Sequence, residues 1–427
     1  MVSTAVEQRD DARGDDSRPV TPLLLAAGLL AAGIALSPGR VATVVSLDWV
    51  LGDMGRAVQI VRVCLVLGAA ALVLWRARVS RALQSLRARE VLASAALLLV
   101  SAGATLTLAE VALRHEHYPF SGSWTPSETA LARFDDTLGW SYREGLTATQ
   151  PFGRQRRMVT MYFDSAGIRV DGPVHVFSRT KPSILFIGDS FTFGHGVAYE
   201  EAFPARVEQL LGGQVQSVNL GVQGYGTDQS LLALRRHMAW FNSRIVVYTY
   251  LADHIQRNDN YDRRVLYPDG NWPGTKPLFG LRADGTVFLS RHPRRIADLA
   301  SLHLLQVAER AWARWGPRPD ARLTTALIRE LKRDCDARGI RLLVVNWPRG
   351  RAPSTATGGT SQAPAGATAV FAGTGVDVLD LGVDAPPEWA TWRIPGDGHP
   401  TAAAHELAAR LIARRLRLEE APTVSAP

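Results

Sequence analysis

The sequence predicts an α/β fold, a doubly wound parallel sheet preceded by an α-helical transmembrane anchor. Three observations lead there. From Lys181 onward, short apolar runs alternate with stretches of helical apolar spacing, the pattern of strands and helices that wind a parallel sheet. The first run, Ser183 to Ile187, ends at Gly188-Asp189-Ser190, so Ser190 sits past the carboxyl end of a strand, where open α/β sheets place their chemistry. Upstream lie three apolar segments, and the third, Val91 to Ala109, runs 19 residues without a charge, near the ~20 that cross hydrocarbon.

A chain of 427 residues has room for one large domain plus attachments. Its net charge is +8, yet only Lys181, Lys276 and Lys332 are lysines, so nearly all of the basic count is arginine. No basic run is interleaved with aromatics, which argues against a nucleic-acid partner. The two cysteines, Cys64 and Cys335, form neither a disulfide framework nor a metal-binding spacing, and both are expected to be inert packing residues.

Residues 1–19 are polar and mixed in charge, as a disordered cytoplasmic tail would be. Residues 20–113 form the expected membrane anchor, with transmembrane helices over Val20 to Leu36, Ala57 to Trp75 and Val91 to Ala109. The first begins after some twenty polar residues and lacks a clear small-x-small cleavage site, so it reads as an uncleaved span and not a signal peptide. In the second, Arg62 must snorkel to the interface if the segment spans. Arg76, Arg78, Arg81, Arg87 and Arg89 crowd the stretch before the third segment, and arginine-rich short loops stay in the cytoplasm. Everything after Arg114 is therefore expected outside. The alternative is a buried helical hairpin in a soluble protein.

Residues 114–180 make a connecting segment with short strands around Leu138-Gly139-Trp140-Ser141-Tyr142 and Ser165-Ala166-Gly167-Ile168-Arg169. The α/β domain spans 181–417. Phe203, Val207, Leu210 and Leu211 mark a helix that stops at Gly212-Gly213. A strand follows over Val215 to Leu220, then a helix through Leu231, Leu234 and Met238 that Thr227 is expected to cap. The next strand is Ile245 to Tyr250. Residues 264–292, with Asp269-Gly270 and Asp284-Gly285 turns, read as an inserted hairpin or lid. Helices are expected near 294–314 and 320–338, strands over Leu342 to Asn346 and Val376 to Leu381, and a closing helix over Thr401 to Arg415. Arg351 to Ala367 is composed as a flexible loop, and residues 418–427 as a disordered tail.

A serine hydroxyl is a weak nucleophile by itself, so Ser190 needs a base within hydrogen-bond reach and an acid to orient that base. Asp397-Gly398-His399-Pro400 is the best candidate pair, because a loop just ahead of a helix can return to the carboxyl edge that carries Ser190. Other chemistries find little support. Thr192 stands where a G-x-S-x-G elbow needs glycine, and there is no Walker A loop. His115-Glu116-His117 and His405-Glu406 lack the second histidine of a zinc helix. Gly221, Gly224 and Gly226 lack the helix and acidic partner of a dinucleotide site.

Gly188-Asp189-Ser190, the Asn219 to Gly226 segment and Asp397-x-His399-Pro400 together resemble the SGNH (GDSL) hydrolase superfamily over roughly 181–417. Leu138-Gly139-Trp140 and Gly167-Ile168-Arg169 resemble the lead-in of membrane-anchored bacterial members. The resemblance implies a flavodoxin-like doubly wound sheet of SGNH hydrolase type. It implies Ser190 as nucleophile, His399 as base, Asp397 as orienting acid, and the backbone N–H groups of Ser190 and Gly224 as oxyanion donors, with no cofactor and no metal. Two departures stand out. Many members carry the acid three residues before the histidine, where this chain has Gly396. The family's third block supplies an oxyanion asparagine where this chain has Ala252, with Asn258 or Asn260 as candidate substitutes.

The implied protein is a multi-pass enzyme of the bacterial cytoplasmic membrane with its catalytic domain outside, a serine esterase that removes a short acyl group, such as acetyl, from a cell-envelope or exopolysaccharide glycan. Its partners would be that acylated glycan or another small ester, and membrane lipid through residues 20–113. One alternative is an O-acyltransferase that moves the acyl group onto a glycan. Another is a catalytically weakened glycan-binding or assembly protein, for which Ala252 is the main support.

Overall fold

The computed structural model describes residues 20–35, 53–84, 88–115, 131–267, 272–295, 302–305, 307–309, 320–348 and 369–420. The tail over 1–19, the Asp269-Gly270 turn, the loop over 351–367, residues 421–427 and most of the helix expected near 294–314 lie outside them. Two compact units are present.

The first unit holds α1 (Val20–Ala35), α2 (Asp53–Leu74), α3 (Arg76–Gln84) and most of α4 (Ala88–His115). Helices α1 and α2 pack on each other. Arg62 Nε donates to the Gly33 carbonyl of α1 at 2.9 Å and its Nη1 to Gln59 Oε1 at 3.0 Å. Among the described residues one stretch is long and apolar enough to cross a membrane, Leu92–Leu113 of α4, while the apolar parts of α1 and α2, Pro22–Ile34 and Gln59–Leu74, are shorter. Cys64 is exposed on α2, so the packing role expected for it does not hold.

In the second unit, β6 (Pro182–Ile187) is buried from Ser183 onward, which is why its apolar residues run unbroken and do not alternate. It is the second of five parallel strands, flanked by β7 (Gln216–Asn219) and β8 (Asn242–Tyr250), with β11 (Arg341–Asn346) and β12 (Asp377–Asp380) beyond β8. Taken alone in chain order these five read 2-1-3-4-5, the flavodoxin-like arrangement. The order reverses at β6, and the crevice at such a reversal is where open sheets bind ligands. Ser190 follows β6 directly.

One face of the sheet buries Leu185, Ile187, Val246 and Tyr248 under α7 (Thr227–His237) and α9 (Arg322–Asp336). The other buries Ile184, Phe186, Val247 and Val345 under α6 (Phe203–Leu210) and α10 (Ala402–Glu420). Helix α9 shows why the spacing is legible, since Leu327, Ile328, Leu331 and Cys335 form one buried stripe. Helix α10 continues to Glu420, past the expected stop at Arg415. Thr227 is not a cap: it is the first residue of α7 after Gly226, and its hydroxyl accepts from Tyr248 Oη at 2.7 Å and Asn258 Nδ2 at 3.0 Å.

The connecting segment is built into the domain. Beyond β7 the sheet continues antiparallel through β5 (Arg169–Val170), β4 (Arg157–Phe163) and β3 (Thr147–Phe152), while β1 (Ala132–Asp135) pairs with β2 (Gly139–Tyr142). The Asp284-Gly285 turn joins β9 (Leu278–Leu281) to β10 (Val287–Arg291) as an antiparallel hairpin. The helix expected from residue 294 does not start there, because Arg295 is extended and bridges Gly274.

Candidate active site

Ser190 opens a one-turn helix, α5 (Ser190–Phe193), at the carboxyl edge of the sheet. Gly188 makes the turn possible. Its φ is 151°, and a Cβ there would lie 2.3 Å from Thr192 Oγ1 and 3.2 Å from the Thr249 carbonyl. Asp189 caps the helix, its carboxylate accepting from the Phe191 N–H at 3.0 Å. That carboxylate is fully buried. Burial alone would push its pKa up, but the Arg257 guanidinium, 2.6 Å from Oδ2, holds it well below the usual range with help from His254 and the Phe191 N–H.

The structure brings Ser190, His399 and Asp397 together. His399 Nε2 lies 2.9 Å from Ser190 Oγ, and His399 Nδ1 lies 2.5 Å from Asp397 Oδ1. The two-residue spacing works because Asp397 forms an Asx turn: the same Oδ1 accepts the His399 backbone N–H at 3.0 Å, which lines the ring up on the carboxylate. The loop itself is pinned, with the Asp397 and Gly398 N–H groups both donating to the Ile394 carbonyl and the Ile394 N–H donating to that of His399. Arg154, in the β3–β4 turn, donates its N–H to Pro395 at 2.7 Å. The antiparallel extension thus braces the acid and base.

Asp397 is held ionised. Burial would raise its pKa, but hydrogen bonds from His195 and His399 outweigh that and drive it well below the ordinary carboxylate range. His399 is pushed down to about 4, first by burial and then by the neighbouring His195, against the pull of Asp397. It is therefore neutral, and able to accept a proton, through the whole physiological range.

Gly224, with φ 74°, stands at the tip of a turn that the Tyr225 N–H closes onto the Val222 carbonyl at 3.2 Å. The Trp272 ring covers it, 2.4 Å from where a Cβ would be. Neither the Ser190 nor the Gly224 N–H has a hydrogen-bond partner among the described residues. The expected substitutes for the missing asparagine do not serve. Asn258 is buried and spends both amide hydrogens on Thr227 Oγ1 and Thr324 Oγ1, at 3.0 and 2.8 Å. Asn260 donates to the Asp262 carbonyl at 3.0 Å and accepts from Arg263.

Several residues that sequence reasoning passed over hold this geometry. Arg169 is buried and donates to the carbonyls of Phe193, Gly194 and Val197 at 2.6, 2.9 and 2.7 Å, clamping the chain that leaves α5. Asn219 donates from Nδ2 to the Thr192 and Phe193 carbonyls and accepts the Gly221 N–H on Oδ1, so the second block is tied to the nucleophile turn. Trp140 Nε1 donates to the Gln223 carbonyl at 2.9 Å, and Tyr142 Oη accepts the Gln223 N–H at 3.2 Å. The Gly-Trp and Gly-Ile-Arg lead-in motifs were the available signal for Trp140 and Arg169; nothing in the spacing pointed to Gln223 or His195. His195, Asp397 and His399 place ligand-type atoms within 4.8 Å of one another, a closeness that the hydrogen bonds among them already account for.

No family model and no curated protein matches the chain. Solved structures do. The chain is similar to solved esterases of the SGNH (GDSL) type. A lipase/acylhydrolase from Enterococcus faecalis is 16% identical, with 56% of this chain and 96% of that one covered and a TM-score of 0.31. A carbohydrate acetylesterase family member from Sinorhizobium meliloti is 13% identical, covering 56% and 98%, with a TM-score of 0.30. A GDSL-like lipase from Bacteroides thetaiotaomicron is 11% identical, covering 57% and 93%, with a TM-score of 0.31. Likeness at that level does not bear on substrate or rate, which have to be read from the site itself.

Proposed function

We propose that the chain is a membrane-anchored serine esterase of SGNH type that works outside the cytoplasm on short acyl esters, acetyl above all, of a cell-envelope or secreted glycan. The observation that carries the chemistry is the run of contacts from Ser190 Oγ through His399 to Asp397, at 2.9 and 2.5 Å. Ser190 Oγ attacks the ester carbonyl carbon as His399 Nε2 takes its proton. The charge moved onto the carbonyl oxygen meets the N–H groups of Ser190 and Gly224. His399 then gives the proton to the departing sugar oxygen, the ester C–O bond breaks, and the acyl group stays on Ser190. Water completes the cycle: His399 deprotonates it, it attacks the acyl carbon, and the proton returns to Ser190 Oγ as the carboxylic acid leaves. Asp397 stays ionised throughout and supports the imidazolium.

The His399 side chain remains 25% exposed, which suits a large, hydrated alcohol portion such as a glycan and leaves water free to accept the acyl group. That exposure favours hydrolysis over acyl transfer. Ala252 favours the second reading, a weakened glycan-binding protein, because loss of one oxyanion donor costs ~10²–10³ in rate. For the anchor, the support is the apolar surface of Leu97, Leu98, Leu99 and Val100 on α4, together with Arg76, Arg78 and Arg81 on the helix before it. Reading α1 and α2 as further spans, with the domain outside, extends the same argument.

Two measurements on the full chain in detergent test the catalytic reading. A fluorophosphonate probe is expected to label a single serine, Ser190; labelling elsewhere, or none, would remove the assignment. The acid limb of kcat/KM for p-nitrophenyl acetate is expected near pH 4, since that profile reports the free enzyme's base and His399 titrates at about 4. Activity would hold flat from neutral pH down toward that limb and fall as the ring protonates. A midpoint near 6.5 would mean that the base is not in this environment.

A further inference from the structure

We propose that His195 is a positioning residue for the proposed esterase, its tautomer set by Gln223 so that its Nε2–H donates to Asp397 and holds the carboxylate square to His399. This rests on the reading of Ser190, His399 and Asp397 given above. His195 follows the end of α5, with its N–H donating to the Ser190 carbonyl at 3.0 Å. The Arg169 clamp on Phe193, Gly194 and Val197 flanks it on both sides. Its ring is packed edge-on against Phe152 at 4.7 Å and lies 4.2 Å from the His399 ring. Only 10% of the side chain is exposed.

The hydrogen bonds define its state. The Gln223 side-chain amide reaches His195 Nδ1, and an NH2 group can only donate, so Nδ1 accepts and the ring carries its proton on Nε2. That Nε2–H meets Asp397 Oδ2 at 3.3 Å. Gln223 is anchored in turn through its main chain, by Trp140 Nε1 and Tyr142 Oη. Asp397 therefore serves two imidazoles, His399 on Oδ1 and His195 on Oδ2. With one oxygen held, a carboxylate can still pivot about that contact; with both held, it cannot. The charged and titratable groups around this arrangement are Asp397 and His399 on the facing loop, Arg169 behind the His195 turn, and Asp189 beneath α5.

The test uses the full chain in detergent with p-nitrophenyl acetate. His195→Ala is expected to lower kcat about 10–100-fold with KM within about twofold, as loss of an outer partner does elsewhere. Its acid limb should move above pH 4, because Asp397 with one donor fewer pulls harder on the His399 proton. His195→Gln, which keeps an N–H for Asp397, should recover most of kcat. Gln223→Leu, which removes the donor that fixes the His195 tautomer, should lower kcat in the same direction as His195→Ala and by less. Wild-type kcat with an unmoved limb in His195→Ala, or wild-type kcat in Gln223→Leu, overturns the proposal. Should Ser190→Ala match wild type, the esterase reading fails by itself, and the positioning contact is then read by NMR titration of the His399 ring: a rise in its pKa in His195→Ala supports the contact, and no rise overturns it.

Discussion

Ser190→Ala is expected to cut the hydrolysis of p-nitrophenyl acetate by ~10⁴–10⁶-fold in kcat, with KM little changed, because it removes the hydroxyl proposed to carry the acyl group while leaving the walls of the site in place. The side chain is small and 5% exposed, and its backbone N–H and the Asp189 cap are unaffected by losing Oγ. The variant should therefore melt with the wild type, which separates a chemical effect from a folding one. The lower end of the range suits this chain better. With Ala252 at the third block, and with Asn258 and Asn260 occupied elsewhere, the wild-type rate from which the loss is measured is itself expected to be reduced. Equal rates in wild type and variant would show that Ser190 is not the nucleophile.

Arg169→Met is expected to be the most damaging change outside the reacting atoms. Its guanidinium is buried, and burial lowers its pKa to about 10, yet it remains charged at neutral pH. Three carbonyls, of Phe193, Gly194 and Val197, accept from it, and the aliphatic replacement leaves Val197 without a donor and Phe193 and Gly194 with only the Asn219 amide and the Val197 N–H, each at 3.3 Å. The loss should be about 2–4 kcal/mol, from one orphaned carbonyl and two that lose a charged donor, and a melt followed by tryptophan fluorescence should fall by roughly 4–12 °C. Arg169→Lys should not restore it, since one ammonium cannot span carbonyls that a planar fork reaches together. Activity should fall with stability, because these carbonyls bracket His195 and end the helix that starts at Ser190. A wild-type melting temperature in Arg169→Met would mean that the clamp is not what holds this chain in place.

What could be read from the sequence follows from how local each signal is. The β6 strand and its Gly188-Asp189-Ser190 turn are legible because a strand buried on both faces must be apolar throughout and because only glycine tolerates φ 151° with Thr192 packed against it. The Asp-x-His pair is legible because an Asx turn joins carboxylate and ring within three residues. Thr227 misled because a threonine before a helical stripe is an ordinary cap signal, whereas here its hydroxyl is drawn into a buried cluster with Tyr248 and Asn258. Asn258 and Asn260 misled for the same reason, since an amide's availability depends on partners far away in the chain.

The sequence by itself determined the parallel α/β class, the boundaries of most strands, a long apolar helix ahead of the domain, and the identities of the serine, histidine and aspartate that the fold brings together. These depend on side-chain period and turn chemistry over a few residues. Only the tertiary structure decided that Arg169 ties β5 to the turn after Ser190, that Trp140 and Tyr142 brace Gln223, and that His195 shares Asp397 with His399. Those contacts join residues from 24 to 202 positions apart, and no local rule of propensity or spacing encodes which donor meets which acceptor once the sheet has closed.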